Sequence, residues 1–230
     1  MEALSAPNCY EAWIAASTHL LRQRGSHESN LLVEVENPVE WNDEWFLRID
    51  PRRVSSRGEN PDNVANTIFP ASTWEKSESR DEFYARYKRA HSRSRHKRWG
   101  TYFLRLIDFG QTHVNQLERS LGVFAEWEKN PGTAVVFHFS SAETDVPRPL
   151  GGPCLQLIQL QAWNNTIDMT AVYRNHDFFN KAFPNYVGLG RLLNFICEQS
   201  ERNVGKLVCH SGHAYFNSSK QVAQNLLARV

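Results

Sequence analysis

The chain has few cysteines, no long apolar run and almost no net charge, and each shortage removes a class of protein. Its four cysteines (Cys9, Cys154, Cys197, Cys209) form no CxxC pair and no zinc-ligand spacing, and they are too sparse in 230 residues for a disulfide scaffold. A reducing, cytoplasmic setting with no bound metal is the expectation. No apolar stretch approaches the ~20 residues that span a bilayer. The N-terminal MEALSAPNCYEAW lacks the basic-then-apolar order of a secretory signal, so no membrane partner is expected. A formal charge of +1 gives no global pull toward nucleic acid. What the chain does have is 41% hydrophobic and 22% charged residues, enough to bury a sizeable core, and one domain over 1–230 is the expectation.

Periodicity supplies the elements. Trp13, Ile14, Leu20 and Leu21 fall near helical spacing in 10–23, and Gly25 supplies a stop. LLVEVE (31–36) reads as a strand closed by Asn37-Pro38. Between about 41 and 75 turn formers accumulate (Asp50-Pro51, Gly58, Asn60-Pro61, Phe69-Pro70), which predicts mostly loop with short strands. Helices are predicted over 80–91, with Phe83, Tyr84 and Tyr87 on one side, and over 114–128, with Leu117, Leu121, Phe124 and Trp127 at three-to-four spacing. Strands are predicted at 133–140, 155–162, near 167–174 and at 207–212. A buried helix over 186–199, despite two glycines, and a closing helix over 217–229 complete the chain. Long helices mixed with non-alternating strands indicate α+β architecture, with a large mixed sheet flanked by helices.

Three blocks carry chemistry. Cys154 follows a proline at the start of a strand, with Gln159 five residues on. YRNHDFFNKAFPN then sets Arg174, Asp177 and Asn185 at spacings of three and eight, and HAYFN gives His213, Tyr215 and Asn217. This order resembles the thymidylate synthase and dCMP hydroxymethylase superfamily, whose signature runs Pro-Cys-x4-Gln, Arg-x2-Asp-x7-Asn, His-x-Tyr-x-Asn. Upstream, RWGTYFLRL resembles the family's Gly-Pro-x-Tyr-Gly segment, and Asn130-Pro131-Gly132-Thr133 its Asn-Pro-x-Ser turn. The resemblance is strongest over 153–217, while 1–97 stays unassigned.

The resemblance implies a C5 methyl- or hydroxymethyltransferase acting on a uracil-type nucleotide, with Cys154 as nucleophile. It also implies 5,10-methylenetetrahydrofolate as the one-carbon donor and a homodimer formed through the sheet. A thiol of pKa ~8.5 is mostly protonated at neutral pH, so Arg174 is expected to lower it while holding the nucleotide phosphate. Asp177 matches the residue that meets the pterin. Asn185 matches the one that reads the base: an amide accepts from uracil N3–H and donates to O4. His213 and Tyr215 match contacts to the sugar hydroxyl, and Gln159 and Asn175 fall at substrate-binding positions. Read without the family, Asn185 is equally an N-cap, and Cys9, Cys197 and Cys209 are core or surface thiols.

The sequence also departs from the pattern. Ala134 and Val135 stand where the family carries two adjacent arginines, Asn175 where it carries a serine, and Leu155 where a histidine follows the cysteine. No Glu-Leu-Leu-Trp motif is present. No counterpart of the family's folate-covering tail precedes Val230, which weakens the folate expectation. The alternative is therefore a catalytically silent nucleotide-binding or scaffold protein. Finally, RYKRAHSRSRHKR (86–98) is densely basic. It reads as a solvated face, as replacement phosphate ligands through Arg93, Arg95, Lys97 or Arg98, or as a polynucleotide contact, the last not favoured.

Overall fold

A computed structural model describes residues 2–92, 99–126, 132–146 and 151–230, the side chains of 92 and 132–134 excepted. The strands are β1 (Glu2–Ala6), β2 (His27–Val35), β3 (Gly132–His138), β4 (Leu155–Trp163), β5 (Thr166–Tyr173), β6 (His176–Asp177) and β7 (Asn203–Tyr215). The helices are α1 (Cys9–Arg22), α2 (Glu44–Arg48), α3 (Pro61–Ala65), α4 (Ala71–Trp74), α5 (Arg80–Ser92), α6 (Tyr102–Ile107), α7 (Gln116–Glu126), α8 (Ala182–Gln199) and α9 (Lys220–Leu227).

The strands form one mixed sheet in the order β1-β2-β7-β5-β4-β3, with the short β6 pairing beside β7. β1 lies parallel to β2, and β5 and β6 lie parallel to β7; the remaining pairs are antiparallel. Parallel neighbours need long connections, and here α8 crosses between β5 and β7. Leu207, Cys209 and Ser211 of β7 point into the core, while Val208 and His210 point to the other face. Helices α1 and α8 cover the first face. Among the described residues no helix packs on the second, which presents Val136, Leu157, Gln159, Thr170, Val172, Val208, His210 and Leu32 in register across five strands.

Helix α8 is buried nearly all round, which its glycines permit. A Cβ on Gly190 would lie 2.1 Å from the Pro38 carbonyl oxygen, and one on Gly188 would lie 2.8 Å from that of Ala65. The absent side chains let the 38 loop and the end of α3 lie directly against the helix. Trp13 Nε1–H donates to the Phe178 carbonyl at 2.8 Å and fastens α1 to the turn ahead of α8.

Two expectations need correction, and three elements, α6, β1 and β6, carried no assignment from the sequence. The stretch 41–75 forms short helices and a 3-10 turn (Pro51–Arg53), with no strands. Its Asp-Pro and Asn-Pro pairs are helix starts: Asp50 accepts from Arg52 N–H at 3.0 Å and Asn60 from Asp62 N–H at 2.9 Å, each followed by proline at the first helical position. TYFLRLI is helix α6, capped by Thr101 on Leu104 N–H at 3.1 Å. Helix α8 starts at Ala182, so Asn185 sits inside its first turn and is not an N-cap. β1 had no sequence signal, being short and half polar. The remaining helices and strands fall where periodicity puts them. Trp127 and residues 93–98 lie outside the described residues, as do Asn130 and Pro131.

Candidate functional site

The covered face of the sheet ends in a cavity of about 450 Å³. It is lined by Cys154, Asn175, Asp177, Asn185, Tyr215 and Asn217, together with Tyr102, Tyr173, His176, Lys181, Trp99, Gly152 and, from the N-terminal part, Glu59, Asn60, Asn63, Val64 and Thr67. Five of the eight site residues expected outside the basic run therefore share one hollow.

Cys154 is presented by a Gly151-Gly152-Pro153 turn. Both glycines adopt positive φ, +89° and +82°, a conformation that L side chains rarely adopt. Arg174 clamps this turn: its Nε donates to the Pro153 carbonyl at 3.1 Å and its Nη2 to that of Gly151 at 2.9 Å. From the other side, the Tyr102 hydroxyl accepts the N–H of Cys154 at 3.1 Å and that of Leu155 at 3.4 Å. Burial holds the thiol above its ordinary pKa; Arg174 and Lys181 pull it down, and Asp177 adds to the rise. The expected thiolate-favouring effect of Arg174 is present but outweighed.

Asp177 is almost wholly committed to the backbone. Its Oδ1 accepts from Phe179 N–H at 2.9 Å, Asn217 N–H at 3.3 Å and Asn180 N–H at 3.4 Å, and its Oδ2 from Asn180 Nδ2 at 3.3 Å. Burial nonetheless raises its pKa, and the hydrogen bonds only partly offset it. Asn175 bridges two rings: its Oδ1 accepts from His213 Nδ1 at 2.8 Å and its Nδ2 donates to the Tyr215 hydroxyl at 3.4 Å. His213 stacks flat on Tyr215, centroids 5.1 Å apart, so it touches the cavity only through these partners.

Asn185 is 4% exposed, and its Nδ2 donates to His176 Nε2 at 3.1 Å. The other ring nitrogen of His176 meets the Ser211 hydroxyl at 2.9 Å. The imidazole lies flat on Tyr173, centroids 4.1 Å apart at 6°. Complete burial pushes its pKa down to about 3, so it is neutral. Tyr173 itself is fully buried, and its hydroxyl has no hydrogen-bond partner among the described residues.

Three expected residues lie elsewhere. Gln159 sits on the uncovered sheet face, paired with Val136 and Thr170. Arg174 faces an adjoining hollow of about 380 Å³ with Ser140, Ser141 and Gln156. His213 is exposed on β7, outside the cavity lining. Arg93, Arg95, Lys97 and Arg98 fall outside the described residues. Val135 packs into the core, and its neighbour Val136 takes the open face. Sequence reading missed His176, Tyr173, Lys181 and the 59–67 segment; Trp99 and Tyr102 were foreshadowed by the RWGTY resemblance. Among the described residues no group of three or more His, Cys, Asp or Glu is arranged to hold a metal ion. No helix there is long and apolar enough to cross a membrane.

No protein-family profile matches the chain. Over 78 residues it is 32% identical to a Methanothermobacter marburgensis protein named "Putative thymidylate synthase", covering 32% of this chain and 35% of that protein. Over 74 residues it is 30% identical to a Methanothermobacter thermautotrophicus protein of the same name, covering 31% and 33%. The similar stretch spans about a third of the length of these curated relatives.

Proposed function

We propose that the cavity binds a uracil-type pyrimidine nucleotide and that Cys154 is the nucleophile of a thymidylate synthase-type C5 methyl- or hydroxymethyl transfer. One observation carries this reading: Cys154, Asn175, Asp177, Asn185 and Tyr215, singled out by the resemblance to the thymidylate synthase signature, converge on one hollow of about 450 Å³, within the ~300–1,000 Å³ usual for small-molecule sites. The names of the two archaeal relatives point the same way. On this reading the mixed sheet and its helices form one thymidylate synthase-like domain over 1–230.

In the first step the Sγ thiolate attacks C6. The Sγ–C6 bond forms, the C5=C6 electron pair moves toward C5 and the C4 carbonyl, and an enolate results whose C5 is nucleophilic. The thiol proton passes to solvent beforehand, which the half-buried Cys154 reaches, and burial opposes its departure. A bound phosphate would find Lys181 at the cavity edge, 2.6 Å from Glu59.

The relatives' names bring a folate into consideration, but the described residues do not fit one. Both oxygens of Asp177 already accept hydrogen bonds from the 177–180 turn and Asn217, leaving little with which to hold a pterin. A 450 Å³ hollow suits one nucleotide and not a folate stacked on it. No step is assigned to it. The raised thiol pKa also favours a second reading, a nucleotide-binding protein without catalysis. Either version is compatible with a homodimer whose second copy covers the open face around Leu157, Val172 and Val208.

Calorimetric titration with dUMP, UMP, dCMP and CMP tests the pocket. Saturable binding of a uracil nucleotide is expected, and absence of binding by all four would sink the reading. Exchange of dUMP H5 with deuterated solvent then tests the nucleophile, because reversible Sγ–C6 addition makes C5 exchangeable. Exchange lost in Cys154→Ala supports the enzyme; binding without exchange leaves the silent protein.

A further inference from the structure

Inside the inner wall of the cavity, His176 links the base-facing amide of Asn185 to the hydroxyl of Ser211, and all three side chains are buried, at 1%, 4% and 0% exposure. We propose that His176 is a positioning residue: with Ser211 it fixes which edge of the Asn185 amide faces the ligand, and so makes the site select a ring that carries an N–H next to a carbonyl. This rests on the nucleotide reading above and names the residue that sets its base preference.

The argument starts from proton counting. A neutral imidazole has one N–H and one bare nitrogen, and their placement follows from the neighbours. Asn185 Nδ2 lies 3.1 Å from Nε2, so Nε2 accepts. The proton is therefore on Nδ1, which donates to Ser211 Oγ at 2.9 Å. The ring cannot readily turn over to exchange the two nitrogens. Tyr173 is stacked on one face at 4.1 Å, and Tyr186 and Phe178 approach at 5.9 and 5.3 Å. With its nitrogen held by His176, the amide has its Oδ1 left for the cavity, and Oδ1 has no hydrogen-bond partner among the described residues. The second Nδ2 hydrogen lies beside it.

That edge, acceptor next to donor, matches uracil N3–H and O4. Cytosine presents a bare N3 and an amino group, opposite at both points. To receive cytosine the amide must turn over, and its oxygen would then face the lone pair of Nε2. Relief requires the imidazole proton to change nitrogens and Ser211 to reverse its hydroxyl. Three groups must switch together, so the preference resides in the buried triad and not in Asn185 alone. A buried polar group that loses its partner is costly, and sites built on such groups reject mismatched ligands strongly.

The test has a ligand-free arm and a ligand arm. Long-range proton–nitrogen NMR of the whole chain reads the His176 tautomer, and an Nδ1-protonated neutral ring is expected. An Nε2-protonated ring would overturn the proposal. In the ligand arm, dUMP and dCMP are titrated into the unaltered chain, His176→Phe and His176→Gln. Phe keeps the stack on Tyr173 and removes both nitrogens; Gln can still present an acceptor to Asn185. The unaltered chain should favour dUMP by about tenfold or more, the value of roughly one well-made hydrogen bond. His176→Phe should bring the two affinities within about threefold of each other, and His176→Gln should restore part of the gap. A folded His176→Phe that keeps the full ratio overturns the positioning role while leaving the nucleotide reading intact. If Phe does not fold, the tautomer decides: an Nε2-protonated parent ring by itself does the same. Failure of the unaltered chain to bind either nucleotide removes both.

Discussion

The cavity has two walls of opposite character. The inner one, formed by the Cys154 turn, the end of β5, β6 and the start of α8, is mostly buried, and its side chains are bonded to the backbone or to one another: Arg174 to the turn, Tyr102 to the N–H groups of Cys154 and Leu155, His176 to Asn185. The outer one, residues 59–67 with Lys181 opposite, is half exposed and charged, and it is held by local caps and two surface ion pairs, Lys181 with Glu59 and Arg191 with Asp62. A wall whose groups are fixed before the ligand arrives discriminates, because any mismatch leaves a buried partner unsatisfied. A wall of solvated charges attracts and adapts, and its losses are refilled by water. Selectivity should therefore fail when the inner wall is touched, and affinity should merely drift when the outer one is.

The largest effect should come from the brace behind the inner wall. Arg105 makes two bonds to Asp145 at 2.6 and 2.7 Å and also donates to the carbonyls of Phe139 and Trp99. The pair is 12% and 17% exposed, so Arg105→Ala takes the cationic partner from a mostly buried carboxylate that keeps the Ser141 N–H, and should lower stability by about 3 kcal/mol, read from urea unfolding. Next is Tyr102→Phe, which leaves the N–H groups of Cys154 and Leu155 without their acceptor. It should cost about 1–3 kcal/mol in the same assay.

His176 gives a pH signature. Its folded pKa is about 3 against an ordinary 6.5, so the unfolded chain takes up a proton first as pH falls. The stability its burial contributes is whole above pH 6.5 and is lost downward toward pH 3, with a slope approaching 1.4 kcal/mol per pH unit. Unfolding measured across this window should show one proton fewer in His176→Phe; an unchanged slope would mean the imidazole is not buried neutral. The smallest effect belongs to the outer wall: Glu59→Gln, which removes the 2.6 Å pair with Lys181, should shift stability by no more than ~1 kcal/mol. A shift of several kcal/mol there would erase the contrast between the walls.

The inner wall was readable in the sequence because its residues cluster in three short blocks, at a strand start, a turn and a helix start, that resemble the thymidylate synthase signature. Cys154, Asp177, Asn185 and Tyr215 were found that way. His176 was not, since it falls at an unspecified position of the Arg-x2-Asp block, and nothing local says that Ser211 and Asn185 will enclose it. The outer wall was unreadable for a different reason. Glu59, Asn60 and Asn63 reach the cavity through capped helical turns, and their Asn-Pro signature looks like loop until a tertiary partner such as Lys181 is known. Gln159 shows the reverse failure: its spacing from Cys154 is right, but the register shift between Leu155 and Leu157 alters the simple alternation, and Gln159 lies on the open face. For the sheet, the five longer strands were legible, the short β1 and β6 were not, and strand order was not, because β2 meets β7 across nearly the whole chain.

That last pairing has a consequence in time. On a ribosome adding ~5–20 residues per second, Val35 emerges on the order of ten seconds or more before its neighbour Leu207. Throughout that interval β1 and β2 have no central strand to join, and β5 lacks one side. A nascent chain arrested before residue 203 should be open to protease over its first 35 residues, whereas one released past 215 should not. The nucleotide cavity, with Tyr215 as one of its last-made walls, would then be among the final features of the molecule to exist.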